Sequence, residues 1–167
     1  MSNITHVLAD KLTALGWMMA TAESCTGGLI ASQCTDLPGS SRWFDRGLVT
    51  YSNAAKTELL GVDPSLIAAH GAVSEEVARA MALGAVYRTQ ARAAVSVTGI
   101  AGPDGGTDAK PVGTVWFGWC TDGLVYSECK LFTGTRQDVR QASCLHALQG
   151  LIQRLPVQAY RGTWTID

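Results

Sequence analysis

The fold of this chain is decided by residues 21–28, which read T-A-E-S-C-T-G-G. A short apolar run, residues 17–20, precedes this stretch, and a helical pattern starts near Leu29. The stretch therefore lies where a strand passes into a helix. Ligands bind at such places in α/β sheets, because a helix N-terminus presents unpaired backbone N–H groups. A simpler alternative is that Ser24 or Thr26 only caps the helix, since N-caps favour Ser and Thr.

Hydrophobic periodicity and turn signals predict five strands with helices between them. The predicted strands cover residues 17–22, 47–52, 93–98, 114–120 and 124–132. Helical patterns cover residues 4–15, 29–36, 53–60, 74–90 and 135–155, with shorter helical turns at 40–44 and after 63. Asn53 is the expected N-cap of its helix, and Asp122-Gly123 predicts an antiparallel hairpin of the last two strands. This order predicts a three-layer α/β/α sandwich around a mostly parallel five-stranded sheet.

Length and composition narrow the possible classes of protein. The chain has 167 residues, of which 47% are hydrophobic and 16% charged, so one domain with a large core is expected rather than disorder. No apolar run approaches the roughly 20 residues that a membrane helix needs. The first ten residues carry an Asp and a helical period instead of the basic and apolar blocks of a signal peptide, which predicts a cytoplasmic protein.

Charge and cysteine content exclude further functions. Lys and Arg total 13 against 14 acidic residues and form no basic cluster, so we expect no nucleic-acid partner. The five cysteines are widely spaced, without a C-x-x-C pair or zinc-ligand spacing, which predicts reduced thiols and no metal. Cys25 lies in the candidate site, where it is either a nucleophile or a small buried hydrophobe, and we favour the second interpretation.

A serine nucleophile in this chain needs a base other than histidine, because His6 and His146 fall in helices and His70 in a turn. Lys56 is the best candidate, since it lies in the first turn of a helix, where the macrodipole disfavours the ammonium form. The alternative is an ordinary solvated surface amine.

Tyr51 ends the strand before Lys56 and should point into the same crevice as Ser24, which predicts a Ser-Lys-Tyr arrangement. Ser52 competes as nucleophile because it lies four residues before Lys56. We prefer Ser24, since Gly27, Gly28 and the adjoining helix N-terminus could supply oxyanion donors.

A long glycine-rich loop, residues 99–113, follows the third strand. Loops of this length at a strand's carboxyl end are more often functional than idle. Its backbone N–H groups could bind a phosphate, and Arg136 and Arg140, one helical turn apart, could add positive charge.

Five segments closely resemble the stand-alone form of the CinA C-terminal domain, the nicotinamide-nucleotide amidohydrolase (NMN deamidase) family. They are A-E-S-C-T-G-G, L-P-G-S-S-R-W-F-D-R-G-L-V-T-Y-S-N-A-A-K, H-G-A-V-S-E, V-T-G-I-A-G-P-D-G-G and K-P-V-G-T-V-W-F. The resemblance runs from about residue 5 to residue 155, with the motifs in the same order. It implies a single domain of this type over residues 1–167 and a sandwich whose sheet has one antiparallel strand. It also implies hydrolysis of nicotinamide mononucleotide to nicotinate mononucleotide and ammonia, in pyridine nucleotide recycling.

The resemblance also assigns roles to residues of this chain. The nucleophile falls on Ser24, the family's tyrosine on Tyr51 and its lysine on Lys56. The expected substrate contacts are Thr26, Gly27, Gly28, Thr98, Gly99, Gly102 and Arg140. We expect no cofactor, a small nucleotide as partner, no membrane contact, and a homo-oligomer.

Two other functional classes compete with this interpretation. A catalytically silent nucleotide-binding or interaction module could use the same fold, and release of ammonia from nicotinamide mononucleotide would separate the two. A dinucleotide-dependent oxidoreductase fits poorly, because the glycine spacing is wrong for a pyrophosphate turn and no acidic residue is placed for a ribose.

Overall fold

The structure is a computed structural model and describes residues 2–157. The strands are β1 (Met19–Glu23), β2 (Phe44–Val49), β3 (Ala93–Gly99), β4 (Thr114–Thr121) and β5 (Leu124–Leu131). The helices are α1 (Ser2–Leu15), α2 (Leu29–Thr35), α3 (Asn53–Leu60), α4 (Pro64–His70), α5 (Glu75–Tyr87) and α6 (Arg136–Arg154). Of the final stretch, 156–167, which the sequence leaves without an assignment, residues 158–167 lie outside the described residues.

The five strands form one sheet in the order β2-β1-β3-β4-β5. β1 pairs in parallel with β2 and β3, while β4 runs antiparallel to both β3 and β5. β4 is therefore the strand of opposite direction, and the predicted sandwich with one antiparallel strand is confirmed. The tight turn at Asp122-Gly123 joins β4 to β5, as the sequence predicts.

Helices cover both faces of the sheet and create two apolar cores. Helices α1, α2 and α6 pack on one face, over Met19 and Val95, and α5 packs with α3 and α4 over Ala20 and Ala94 on the other. Consecutive residues of β1 and β3 thus enter opposite cores, because side chains alternate along a strand. Both strands are buried on both faces, as expected for the parallel part of a covered sheet.

The second strand differs from its prediction of residues 47–52. A 3₁₀ turn at Ser40–Arg42 leads into Trp43, which is buried, and β2 begins at once with Phe44. The strand ends at Val49, because the next carbonyl, that of Thr50, turns away from the sheet to accept a hydrogen bond from a lysine. The shift brings residues 50–52 to the carboxyl edge of the sheet, where the Thr50 N–H still donates to the Glu23 carbonyl.

The N-terminal caps of the helices differ from the sequence prediction at one place. Ser74 caps α5, and Thr135 and Asp138 form a reciprocal capping box on α6. The predicted cap Asn53 is wrong, because Ser52 accepts the hydrogen bond from the Ala55 N–H and Asn53 is already helical. None of the helices within residues 2–157 is long and apolar enough to cross a membrane.

Candidate active site

The candidate site lies at the carboxyl ends of β2, β1 and β3, which are neighbours in the sheet. The backbone hydrogen bonds of the sheet continue one residue beyond the ends of β1 and β2. The Ser24 N–H donates to the Val97 carbonyl at 2.9 Å, and the Thr50 N–H donates to the Glu23 carbonyl at 2.8 Å. A cavity of about 240 Å³ opens at this edge. It is lined by Ser24, Cys25, Tyr51, Asn53, Lys56, Ala72, Val73, Thr98, Gly99, Ala101 and Arg136.

Ser24 and Lys56 form a hydrogen-bonded pair inside this cavity. The lysine Nζ lies 3.0 Å from the serine Oγ, although the two residues are 32 positions apart in sequence. Nζ also donates to the Thr50 carbonyl at 2.9 Å, which fixes one of its N–H bonds. A neutral amine has one further N–H and one lone pair, so it can accept the Ser24 hydroxyl proton while it remains bound to Thr50.

Lys56 is not a solvated surface amine, since only 1% of it is exposed. Within residues 2–157 no carboxylate lies within ion-pair distance of its Nζ. Burial lowers the pKa of Lys56 below the ordinary lysine value, while the charge on a Cys25 thiolate would act weakly in the opposite direction. The dominant cause is therefore desolvation, which favours the neutral form that a general base requires.

The two alternative nucleophiles, Ser52 and Cys25, are both poorly suited to the reaction. The Ser52 hydroxyl accepts the Ala55 N–H as the cap of α3 and does not line the cavity. Cys25 is buried, and that burial raises the pKa of its thiol to about 11. A thiol protonated at neutral pH is a poor nucleophile, in agreement with the interpretation of Cys25 as a small buried hydrophobe.

Sequence reasoning missed Glu23, which organises the turn that carries Ser24. Its carboxylate accepts the N–H groups of Gly28 and Ile30 at 3.0 Å and of Ala31 at 2.8 Å. Because this side chain satisfies the start of α2, the simpler alternative of Ser24 or Thr26 as N-cap is wrong.

The predicted oxyanion donors also change. The N–H of Gly28 is bound to Glu23 and that of Gly27 to the Ser24 carbonyl, so neither is available. Among the described residues, the N–H groups of Cys25 and Thr26 donate to no other backbone carbonyl, and that of Cys25 contacts only its own thiol. The amides beside Ser24 are therefore the donors that an oxyanion could use, with Cys25 itself on the cavity wall.

Tyr51 and Arg136 form the outer rim of the cavity. The arginine donates through Nη2 to the tyrosine hydroxyl at 2.9 Å and through Nη1 to the Gly102 carbonyl at 2.8 Å. Tyr51 lines the cavity with Ser24 and Lys56 but is 60% exposed. This arginine thus bridges the tyrosine and the glycine-rich loop across the entrance.

The remaining predicted contacts fall into two groups. Thr98 and Gly99 line the cavity, and the Thr98 hydroxyl donates to the Ala72 carbonyl at 2.8 Å. Arg140 does not line it, because its guanidinium donates to the carbonyls of Cys25 at 3.1 Å and Thr26 at 2.9 Å. A direct substrate contact of Arg140 therefore stays a prediction, and its observed bonds hold the serine turn from outside.

The three histidines of the chain lie away from the cavity wall. His6, His70 and His146 do not line it, and His146 packs against Phe117 beneath α6. Within the part of the chain that the structure describes, no three His, Cys, Asp or Glu side chains are grouped so that they could hold a metal ion.

Comparisons with known proteins match most of this chain. Residues 1–155 match the family described as the CinA C-terminal domain. The nicotinamide-nucleotide amidohydrolase PncC of Enterobacter agglomerans is 58% identical over 143 residues, covering 85% of this chain and 87% of that protein. The protein of the same name from Escherichia coli strain K12 is 49% identical over 154 residues, covering 90% and 92%. Among solved structures, the competence/damage inducible protein CihA from Agrobacterium tumefaciens is 44% identical with a TM-score of 0.88, covering 91% of this chain and 93% of that one.

Proposed function

The chain belongs to the CinA C-terminal domain family, and we propose that it hydrolyses the carboxamide of nicotinamide mononucleotide to nicotinate mononucleotide and ammonia. The observation that carries the proposal is the buried Ser24–Lys56 pair, whose amine has no carboxylate partner among the described residues. Relatives named nicotinamide-nucleotide amidohydrolase, which match most of the chain, support the class of substrate. An amide bond is a suitable target, because Ser–Lys pairs can attack carbonyl carbons without histidine.

In the first half of the reaction, Ser24 Oγ attacks the carboxamide carbon and its proton passes to Lys56 Nζ. Negative charge then develops on the carboxamide oxygen, and the amides of Cys25 and Thr26 are its donors. The protonated lysine next gives its proton to the leaving nitrogen, so that ammonia departs and a nicotinoyl ester remains on Ser24.

In the second half, a water molecule takes the place of ammonia and attacks the ester carbon. Lys56 accepts the proton of this water and returns one to Ser24 Oγ, which regenerates the hydroxyl. The proposed role of Tyr51, which lines the rim of the cavity, is to contact the substrate or relay a proton. No cofactor is required, since each proton removed in one step is returned in the next.

The phosphate of the substrate is assigned to Arg136 rather than to the start of α2. That helix start is already bound to the Glu23 carboxylate, which would repel a second anion. Arg136 lines the cavity at its outer end, where its bonds to Tyr51 and Gly102 involve neutral acceptors. A phosphate would exchange them for stronger charge-assisted hydrogen bonds.

The test measures ammonia release from nicotinamide mononucleotide by the purified chain. Ser24→Ala should abolish turnover while substrate binding is retained, whereas Ser52→Ala, which alters only a helix cap, should keep most activity. Hydroxylamine added to the wild-type reaction should divert the ester into a hydroxamate. Substrate binding without ammonia release by the wild type would instead identify the silent nucleotide-binding module.

Three expectations accompany the proposal. The single domain over residues 1–167, the cytoplasmic location and the homo-oligomeric state follow from the sequence and its resemblance. Sedimentation of the purified chain at several concentrations measures the oligomeric state directly.

A further inference from the structure

Glu23 is a buried carboxylate that the proposed reaction steps do not use. It is the last residue of β1, it immediately precedes Ser24, and its side chain is fully enclosed. Within residues 2–157 no lysine, arginine or histidine forms an ion pair with it. A buried charge without a counter-ion is costly unless hydrogen bonds satisfy it, so its surroundings indicate what it does.

Four donors surround this carboxylate. Oε2 accepts the N–H groups of Gly28 and Ile30, both at 3.0 Å. Oε1 accepts the Ala31 N–H at 2.8 Å and the Thr21 hydroxyl at 3.0 Å. The three amides belong to the start of α2, where N–H groups have no partner inside the helix. The carboxylate is therefore fully bonded and ties the end of β1 to α2.

These bonds close a ring around the nucleophile. The chain leaves the sheet at Glu23, turns through residues 24–27, and returns to the same carboxylate at Gly28. Inside the ring, the Ser24 N–H is bound to the Val97 carbonyl of β3. Outside it, Arg140 holds the carbonyls of Cys25 and Thr26. The backbone on both sides of Ser24 is thus held by side chains that do not touch the cavity.

We infer that Glu23 is a positioning residue, whose carboxylate holds the serine turn so that Ser24 Oγ lies in line with Lys56 Nζ. The inference rests on the proposed function in taking Ser24 as the nucleophile. Glu23 acts through geometry, because the lowered pKa of Lys56 is caused by burial and not by this carboxylate. Its loss should therefore slow the attack of Ser24 without changing the pH at which Lys56 loses its proton.

Glu23→Gln is the decisive variant, since glutamine has the same size but turns an NH₂ group toward backbone N–H donors. At least one helix amide is left unpaired, and the turn must shift. A displacement near 1 Å in an active site can cost ~100-fold, so we expect kcat per folded molecule to fall about 10- to 100-fold. KM for nicotinamide mononucleotide and the acid limb of the pH profile should stay unchanged. A role in stability alone would lower the folded fraction but leave kcat per folded molecule intact.

A second readout needs no nucleotide. A fluorophosphonate probe reacts when Ser24 Oγ attacks phosphorus, the P–F bond breaks, fluoride leaves, and the serine proton passes to Lys56. The labelling rate of the Ser24 peptide, measured by mass spectrometry, should fall in Glu23→Gln by a factor similar to that in kcat. Labelling of a wild type that does not hydrolyse the nucleotide would reject the proposed function and leave this inference standing.

Thr21→Val is the matched control, because it removes one donor from the same carboxylate and keeps its charge and all three helix amides. Both rates should stay within about threefold of wild type, because the carboxylate keeps its charge-assisted bonds to the three helix amides that orient the turn. Glu23→Asp keeps the charge but lacks the reach to α2, and should be as slow as Glu23→Gln.

Four results would overturn the inference. They are wild-type rates in folded Glu23→Gln or Glu23→Asp, failure of both variants to fold, an equally large loss in Thr21→Val, and a wild-type Ser24 that takes no label.

Discussion

Replacement of Lys56 by arginine tests the proposed base most directly. Lys56→Arg keeps a long side chain that can bear a positive charge, but a guanidinium stays protonated and cannot accept the Ser24 proton. In the wild type, Nζ lies 3.0 Å from Ser24 Oγ in a site where the lysine is 1% exposed. The substitution therefore removes proton acceptance from a position that bulk water does not readily reach.

The size of the effect follows from the role of the amine. A positioned base contributes about 100- to 10,000-fold, or roughly 2.7 to 5.4 kcal/mol of transition-state stabilisation. We expect at least a ~100-fold loss in kcat, the lower end of this range. Lys130→Arg is the matched control, since Lys130 is paired with Glu128 on β5 and exposed pairs contribute little.

The assay is the pH dependence of ammonia release. In the wild type, kcat/KM should rise with pH as Lys56 loses its proton, and this limb should lie below the ordinary lysine pKa of about 10.4, because burial lowers the pKa. In Lys56→Arg the limb should be absent. A near-normal kcat, or the same limb in the variant, would refute the assignment of the base and direct attention to Tyr51 or a bound water.

Four further predictions concern the rim of the site, the base and the core. Arg136→Ala should raise KM for the nucleotide and leave hydrolysis of the corresponding riboside unchanged, which steady-state kinetics on both substrates will measure; an equal loss on both would exclude phosphate recognition. Tyr51→Phe removes the hydrogen bond from Arg136 and should reduce kcat by less than Lys56→Arg does, in the same assay. Lys56→Met should raise Tm relative to wild type more at pH 7 than at pH 10. Burial lowers the pKa of Lys56 in the folded wild type, so at pH 7 the unfolded chain binds this proton more tightly than the folded chain does, and the free energy of unfolding is reduced. This loss of stability disappears as the pH rises toward the lysine pKa of the unfolded chain. Gly150→Ala, usually stabilising in a helix, should lower Tm, because the new Cβ would lie 2.2 Å from a ring carbon of Trp119.

The sequence was sufficient for the layers, the strand directions and the residues at the strand ends. The runs of mostly apolar and small residues in β1 and β3 indicate strands covered on both faces, and Asp122-Gly123 is a local hairpin signal. Ser24 and Lys56 could be paired in advance, because the ends of neighbouring parallel strands meet at one edge. Such inferences succeed where a local pattern or a general rule of sheet topology determines the arrangement.

Other features depended on contacts that no local pattern contains. The cap of α3 moved from Asn53 to Ser52 because β2 ends at Val49, three residues before its predicted end. Glu23 was overlooked because it resembles an ordinary strand residue until the backbone of α2 is seen to return to it. A glutamate in an otherwise apolar strand, directly before small polar residues and glycines, was the available signal. The distinction between Arg136 and Arg140 likewise needed the tertiary fold, since both lie at the start of one helix.

The side chains that line the cavity come from helices on both faces of the sheet. Lys56 comes from α3, which packs with α5 over one core, and Arg136 comes from α6, which covers the other. A partly unfolded molecule that preserves one core would therefore lack one wall of the site. Turnover thus reports the cooperative integrity of the whole domain, and during thermal denaturation enzymatic inactivation should not lag behind the melting of either layer.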